Sequence, residues 1–266
     1  MIDTVTVVFQ DELDSLRLQA QSLNLYADEI NTIFVIVNED SDLETKIDTT
    51  WWGRWSDHVK IINRNYFGSV WCDNGWVSQQ ALKLLASSLS STKWSVILDA
   101  KTFFVNKIPT IQTKPCVGWL EIYPVFEPSQ QIVNQLFDIN LDRQLGPGGV
   151  PFVINNELVR QMILWIEKKV NQPFAEWFQN QGRLTEFLLY AGWVQYQTGS
   201  LEQIYDLERE DMIPCNLCHS EVRLFEHKFK RMQTSTTVSI HRRAWSQLSQ
   251  QQQNLYLNFL DSRGIK

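Results

Sequence analysis

The first hundred residues alternate short apolar runs, rich in β-branched side chains, with segments of helical spacing. The apolar runs predict buried strands at residues 5–9, 33–37, 59–62 and 94–98. Apolar residues recur three or four positions apart between them, which predicts helices at 13–23 and 78–89. Strands that alternate with helices are typical of a mainly parallel sheet. We therefore expect an α/β fold with helices flanking the sheet.

The second half of the chain has a less regular pattern. Residues 146–151 form a Gly-Pro-rich loop by composition. Helical spacing returns at 158–170 and 184–193, a late strand is predicted at 237–240, and a closing helix at 246–260. Neither a repeat nor a linker divides the chain, so we expect one domain over residues 1–266.

The composition and charge of the chain limit the kinds of ligand that we expect it to bind and the compartment in which we expect it. The formal net charge of -6 argues against a general nucleic-acid binder. Apolar runs fall short of the roughly 20 residues that a membrane span needs. The first residues lack a basic segment followed by an apolar one, so we expect no signal peptide and a cytoplasmic protein. Eleven tryptophans favour a sugar ligand, because carbohydrate sites use flat aromatic faces.

Polar residues follow the predicted strands at the point where each strand ends. Gln10 and Asp11 follow the first strand, residues 38–40 (Asn-Glu-Asp) the second, and Asp99-Ala100-Lys101 the fourth. Ligands of such sheets bind beyond the carboxyl ends of the strands. We therefore expect these residues to border one ligand site.

The strand-end run Asp99-Ala100-Lys101 resembles the metal-binding motif of glycosyltransferases with the GT-A fold, usually Asp-x-Asp after a hydrophobic strand. The strand and helix that open the chain, the helical segment from residue 75 that precedes the motif, and the late strand running into His241 agree with that family in order. Over residues 1–245 the chain is similar to a small phage or bacterial enzyme of this kind with a degenerate motif.

The resemblance implies transfer of a hexose from a uridine or guanosine diphosphate donor to a carbohydrate or other hydroxyl acceptor. Residues 1–110 would form the nucleotide-binding half and residues 111–266 the half for sugar and acceptor. Asp99 and His241 would hold Mn²⁺ or Mg²⁺, which stabilises the charge of the departing diphosphate. Lys101 stands where the second Asp is usual, so Lys101 can itself supply that positive charge. In the alternative interpretation, the two residues have no functional role: Asp99 caps a turn and Lys101 is solvated.

Further candidates follow for the donor. Base and ribose would lie against residues 7–11, including Phe9, Gln10 and Asp11, with Asn38 nearby. Arg242 matches a phosphate because guanidinium binds it bidentately, although a basic surface turn explains the run as well. Lys83, on the helix before the motif, is either a phosphate ligand or a solvated side chain.

Glu186 is the candidate general base, since its apolar and aromatic neighbours predict partial burial and a raised pKa. A glutamate favoured in the first turn of a helix is the alternative. Gly148 and Gly149 would let the backbone approach a sugar closely, or form a plain turn.

Two other classes of protein compete with the glycosyltransferase. A non-catalytic carbohydrate- or nucleotide-binding module on the same fold is favoured by Lys101 in place of an acid. A nucleotidyltransferase would need a glycine-rich phosphate loop after the first strand, and residues 10–13 contain no glycine.

Overall fold

Five strands form the central sheet of the protein, in the order β3-β2-β1-β4-β8. The protein is described by a computed structural model that covers residues 1–39, 42–111 and 113–266. The strands are β1 (Ile2–Val8), β2 (Ile30–Val37), β3 (Val59–Asn63), β4 (Trp94–Asp99) and, after three short ones, β8 (Phe152–Asn155). β1 to β4 run parallel, and β8 is antiparallel to β4. The predicted α/β class with a mainly parallel sheet is confirmed.

Two smaller sheets lie beside the central one. β5 (Phe103–Phe104) pairs with β10 (Thr237–Ile240), which pairs with β9 (Pro214–Leu217). β6 (Trp119–Glu121) pairs with β7 (Arg143–Leu145). Because β5 follows β4 almost directly, the late strand β10 is held next to the residues that follow Asp99.

Helices cover the sheet. Their bounds are α1 (Leu13–Tyr26), α2 (Gly75–Ser88), α3 (Glu127–Phe137), α4 (Asn156–Val170), α5 (Phe174–Asn180), α6 (Glu186–Thr198), α7 (Phe225–Met232), α8 (Arg242–Trp245) and α9 (Gln250–Ser262). β1 is buried along its whole length, as expected for a central strand with helices on both faces. In the described ranges, no helix is long and apolar enough to span a membrane.

Helix α2 is buried on most of its surface because it packs between the sheet and helices α4 and α5. Asn74 caps its start, where the side chain accepts from the Trp76 N–H. The sequence predicts one apolar stripe that includes Leu85 and Leu89, yet both are only partly buried or exposed. Lys83 is not part of the predicted stripe, yet it is buried.

The sequence pattern did not indicate β8 or α3. β8 is a four-residue run that directly follows the Gly-Pro loop, too short for a period to be recognised. The closing helix is confirmed, although it begins at Gln250, where Ser249 caps it by accepting from the Gln252 N–H.

A buried tyrosine pair ties α6 to the edge of the sheet. The Tyr190 hydroxyl lies 2.7 Å from the Tyr205 hydroxyl and accepts from the Asn155 N–H at 2.9 Å. Tyr205 donates to the Val153 carbonyl at 3.1 Å. Both hydroxyl-bearing residues are fully buried, so these bonds fix α6 against β8.

Replacing Tyr190 by Phe should destabilise the protein by about 1–3 kcal/mol, because the Asn155 N–H loses its acceptor at a fully buried position. Tyr196→Phe is the matched control: Tyr196 is partly exposed on the same helix, and the change should stay within about 0.5 kcal/mol. Urea denaturation of both variants measures the difference. Equal stability of the two would contradict the role given to the pair.

Candidate functional site

A cleft of about 1000 Å³ opens at the carboxyl edge of the central sheet. Residues from both ends of the chain line it. They include Phe9, Asp11 and Glu12 after β1, Trp76 of α2, Lys101 and Phe103 after β4, His241 and Arg242 after β10, and Tyr256, Leu257 and Leu260 of α9. Of the residues predicted for the site, Phe9, Asp11, Lys101, His241 and Arg242 are thus brought together.

Asp99, the last residue of β4, lies behind Lys101 and is not among the described residues that line the cleft. Its Oδ1 accepts from Lys83 Nζ at 2.9 Å, and its Oδ2 lies 3.2 Å from Lys101 Nζ. Its carbonyl accepts from Gln19 of α1 at 2.7 Å and from the Thr102 N–H at 2.9 Å. Backbone and side chain of Asp99 are therefore both fixed.

Lys83 is buried between two carboxylates. Its Nζ lies 2.9 Å from Asp99 Oδ1 and 3.1 Å from Glu186 Oε1, and the side chain is 4% exposed. The ammonium also lies 5.4 Å from the centre of the Phe187 ring. The expectation that Lys83 is solvated is wrong, because α2 is covered by α5 and α6. Nor does Lys83 line the cleft, in the part of the chain that the structure describes.

Glu186 lies beneath the site at the first position of α6 and is 2% exposed. One oxygen binds Lys83, and the other accepts from the Gln80 side-chain amide. The carboxyl is therefore more deeply buried than the sequence predicts, and both its oxygens have partners. Glu186 is not among the described cleft residues, so nothing in this arrangement brings it to an acceptor.

The pKa values in the cluster follow from burial and pairing. Burial would lower the pKa of Lys83, but Asp99 and Glu186 outweigh it and raise that pKa above its ordinary value. Burial would raise the pKa of Asp99, yet Lys83 and Lys101 hold it well below its usual range. For Glu186, burial raises the pKa, while Lys83 opposes the shift. The Lys83 and Asp99 side chains are therefore charged at neutral pH.

Glu12 is a cleft residue that the sequence did not single out, although it ends the polar run after the first strand. Burial raises its pKa, Lys101 lowers it and Asp99 raises it. Its Oε2 is buried and has no hydrogen-bond partner in the described residues. The carboxyl is thus available to a ligand hydroxyl.

His241 and Arg242 border the cleft from the side of the small sheet. His241 Nδ1 accepts from the Arg243 N–H at 3.2 Å, which caps α8. Burial lowers the pKa of His241, and Lys101 lowers it further. Arg242 Nη1 donates to Asp11 Oδ2 at 2.5 Å across the cleft.

Four predicted site residues lie elsewhere than expected. Asn38 is buried and donates to Ser78 Oγ at 2.8 Å and to the Gly75 carbonyl, so it holds the start of α2 rather than a ribose. Gln10 donates its N–H to Glu39 Oε1 at 2.8 Å and, like Gly148 and Gly149, is absent from the described cleft lining. Asp40, predicted at the second strand end, lies outside the described residues.

The donor groups near Asp99 do not fit the predicted divalent cation. Both Asp99 oxygens are occupied by ammonium groups. In residues 1–39, 42–111 and 113–266, no three His, Cys, Asp or Glu side chains converge as metal ligands. Mn²⁺ or Mg²⁺ therefore stays a prediction made from the resemblance alone.

Comparison of the whole architecture with solved structures identifies the fold. The galactosyltransferase LgtC, in complex with donor and acceptor sugar analogs, is similar with a TM-score of 0.52 and 10% identity, over 98% of this chain and 96% of that one. Its active-site mutant matches over the same shares with a TM-score of 0.52 and 11% identity. The chain therefore adopts the GT-A glycosyltransferase fold.

The other comparisons do not identify a family for this chain. Mouse xyloside xylosyltransferase 1 covers 90% of this chain and 98% of its own at 9% identity, but its TM-score of 0.43 carries no argument. No family model and no curated protein matches the sequence.

Removing the ammonium of Lys83 tests the buried cluster that it forms with Asp99 and Glu186. Lys83→Met should cost about 3–5 kcal/mol of stability, because it leaves the buried Glu186 carboxylate without its counter-charge. Adding Glu186→Gln to that variant should recover part of the loss. Lys93→Met, on an exposed residue, is the control and should change stability by no more than about 0.5 kcal/mol. Chemical denaturation of the wild type, Lys83→Met, Glu186→Gln and the double variant gives the coupling energy between Lys83 and Glu186; a coupling energy of zero would contradict the cluster.

Proposed function

We propose that the protein is a nucleotide-sugar glycosyltransferase that transfers a hexose from a UDP- or GDP-sugar to a hydroxyl acceptor. The observation that carries the proposal is the cleft at the carboxyl edge of a GT-A sheet, with Lys101 and Arg242 in its lining. A cleft of this size is at the upper end of the ordinary range for small-ligand sites. The fold supports the proposal by analogy with LgtC, whose structure holds donor and acceptor sugar analogs.

The groups that line the cleft suit the parts of such a donor. Flat faces of Phe9, Trp76 and Phe103 can pack against base or sugar. The carboxylates of Asp11 and Glu12 accept hydrogen bonds from ribose or sugar hydroxyls. Lys101 and Arg242 are cations in the cleft lining, and the diphosphate is assigned to the space beside them.

In the transfer, the bond from the anomeric carbon to the terminal phosphate oxygen breaks, and its electron pair leaves on that oxygen. The acceptor hydroxyl oxygen forms the new bond to the anomeric carbon, and its proton passes to the departing diphosphate. A fixed positive charge near the leaving oxygen stabilises this step most, because the negative charge grows there. Lys101 is held for that purpose by Asp99, and Asp99 by Lys83.

Glu186 takes a positioning role in this proposal. Its two oxygens bind Lys83 and Gln80, so it fixes the ammonium that fixes Asp99. The general-base role implied by the sequence would need a free oxygen within reach of the acceptor hydroxyl. The buried position of Glu186 does not supply one.

A non-catalytic sugar- or nucleotide-binding module is the second candidate, favoured by Lys101 at the position where the metal-binding motif usually has its second Asp. Hydrolysis of the donor in the absence of an acceptor separates the two. A transferase releases free nucleoside diphosphate slowly under these conditions, whereas a binding module releases none.

A thermal-shift panel of nucleoside diphosphates tests the donor site. A ligand at a hundredfold excess over Kd stabilises the folded state by about 2.7 kcal/mol. Since each kcal/mol moves the midpoint by roughly 2–4 °C in a protein near this size, UDP or GDP should raise it by about 5–10 °C. ADP and CDP serve as comparators. If none of the four nucleotides shifts the melting midpoint at millimolar concentration, the proposed donor site loses its support.

Asp99→Asn should lower turnover by roughly two to three powers of ten, the scale of losing one preorganised electrostatic element. The amide keeps an oxygen for one lysine but no longer attracts both, so Lys101 loses its fixed position. Asp57→Asn, on an exposed residue away from the cleft, should leave turnover unchanged. Release of nucleoside diphosphate is measured for both, with the melting midpoint as the check on folding. Full activity of a folded Asp99→Asn protein would exclude this centre.

A further inference from the structure

The carboxylate that the fold would use for a cation is already neutralised. Lys83 binds Asp99 Oδ1 at 2.9 Å from below, and Lys101 binds Oδ2 at 3.2 Å from the cleft side. A divalent cation would have to displace Lys101 and then share the carboxylate with Lys83. Hard cations need several oxygen ligands, and the described residues bring no group of three His, Cys, Asp or Glu side chains together as metal ligands.

Lys101 itself lies where the ligand would meet the site. It lines the cleft and is 25% exposed, whereas Asp99, which is 21% exposed, is not among the described residues of the lining. An ammonium donates three hydrogen bonds, of which the contact with Asp99 uses one. The remaining N–H groups are free to turn toward a phosphate without breaking the ion pair.

A second cation, Arg242, also lines the cleft. Arg242 is 72% exposed and its partner Asp11 is 58% exposed, so this ion pair costs little to open. A guanidinium that leaves Asp11 can bind a phosphate through two parallel N–H bonds. Lys101 and Arg242 thus both line the cleft in which a diphosphate would bind.

We infer that this site binds the diphosphate without a divalent cation, and that Lys101, fixed on Asp99, takes the place of the metal with Arg242 beside it. The inference rests on the proposed function and specifies how its leaving group is neutralised. It also explains why Lys101 stands where the motif usually has a second Asp. The Lys101 side chain supplies the positive charge that a bound metal ion would otherwise supply.

Calorimetric titration of the folded wild-type protein with UDP and GDP, first in EDTA and then in Mn²⁺, tests the inference without any enzyme assay. We expect one of the two to bind with the same Kd in both conditions. Binding that appears only with Mn²⁺ would overturn the metal-free site and leave the proposed function standing. Binding in neither condition would overturn both.

Lys101→Gln identifies the cation. The Kd measured in EDTA should rise roughly tenfold to a hundredfold, the loss expected for one charge-assisted contact. Lys107→Gln removes an ammonium from an exposed pair with Asp28, outside the cleft lining, and should leave the Kd unchanged. An unchanged Kd in a folded Lys101→Gln protein would refute the role of Lys101. If that variant does not fold, the wild-type titrations decide alone.

Discussion

The buried ammonium of Lys83 is the interaction on which the rest of the site depends. A lysine removed from water keeps its charge only when anions replace the solvent, and here Asp99 and Glu186 do so at 2.9 and 3.1 Å. Lys83 of α2 and Asp99 of β4 are only 16 positions apart, whereas Glu186 of α6 lies 103 positions from Lys83, so one cation joins a distant helix to two neighbouring elements. Any shift of α6 relative to the sheet would separate these charges, and the tyrosine pair on the same helix opposes that shift.

From the interior to the cleft the charges alternate in sign. Glu186 is followed by Lys83, then Asp99, then Lys101, and the last of these lines the cleft. In this series each charge is held by the one beneath it, so the position of the outermost ammonium is set by the core and not by a flexible side chain alone. Such preorganisation is what makes electrostatic stabilisation effective, because the groups need not rearrange when charge develops.

The ends of the strands could be predicted from the sequence, but the burial of Lys83 on α2 could not. Apolar runs bounded by polar residues mark β1, β2 and β4, so the hydrophobic pattern alone assigns Asp11, Asp99 and Lys101 to one edge of the sheet. Lys83 lies on a helix covered on several sides, a tertiary fact that its single apolar stripe does not reveal. Asn38 was misassigned for a similar reason: a polar residue at a strand end can serve the neighbouring helix instead of a ligand.

The contact between Asp11 and Arg242 joins residues 231 positions apart, and the cleft is likewise lined by residues between positions 9 and 103 and between positions 240 and 260. Domains emerge from the ribosome N-terminal part first, so a nascent chain extended as far as β8 already contains every strand of the central sheet. The wall formed by β10, α8 and α9 is still missing at that stage, and contacts of such sequence separation form late because loop closure opposes them. A chain that ends after β8 would therefore lack Arg242 and the other cleft residues contributed by β10, α8 and α9.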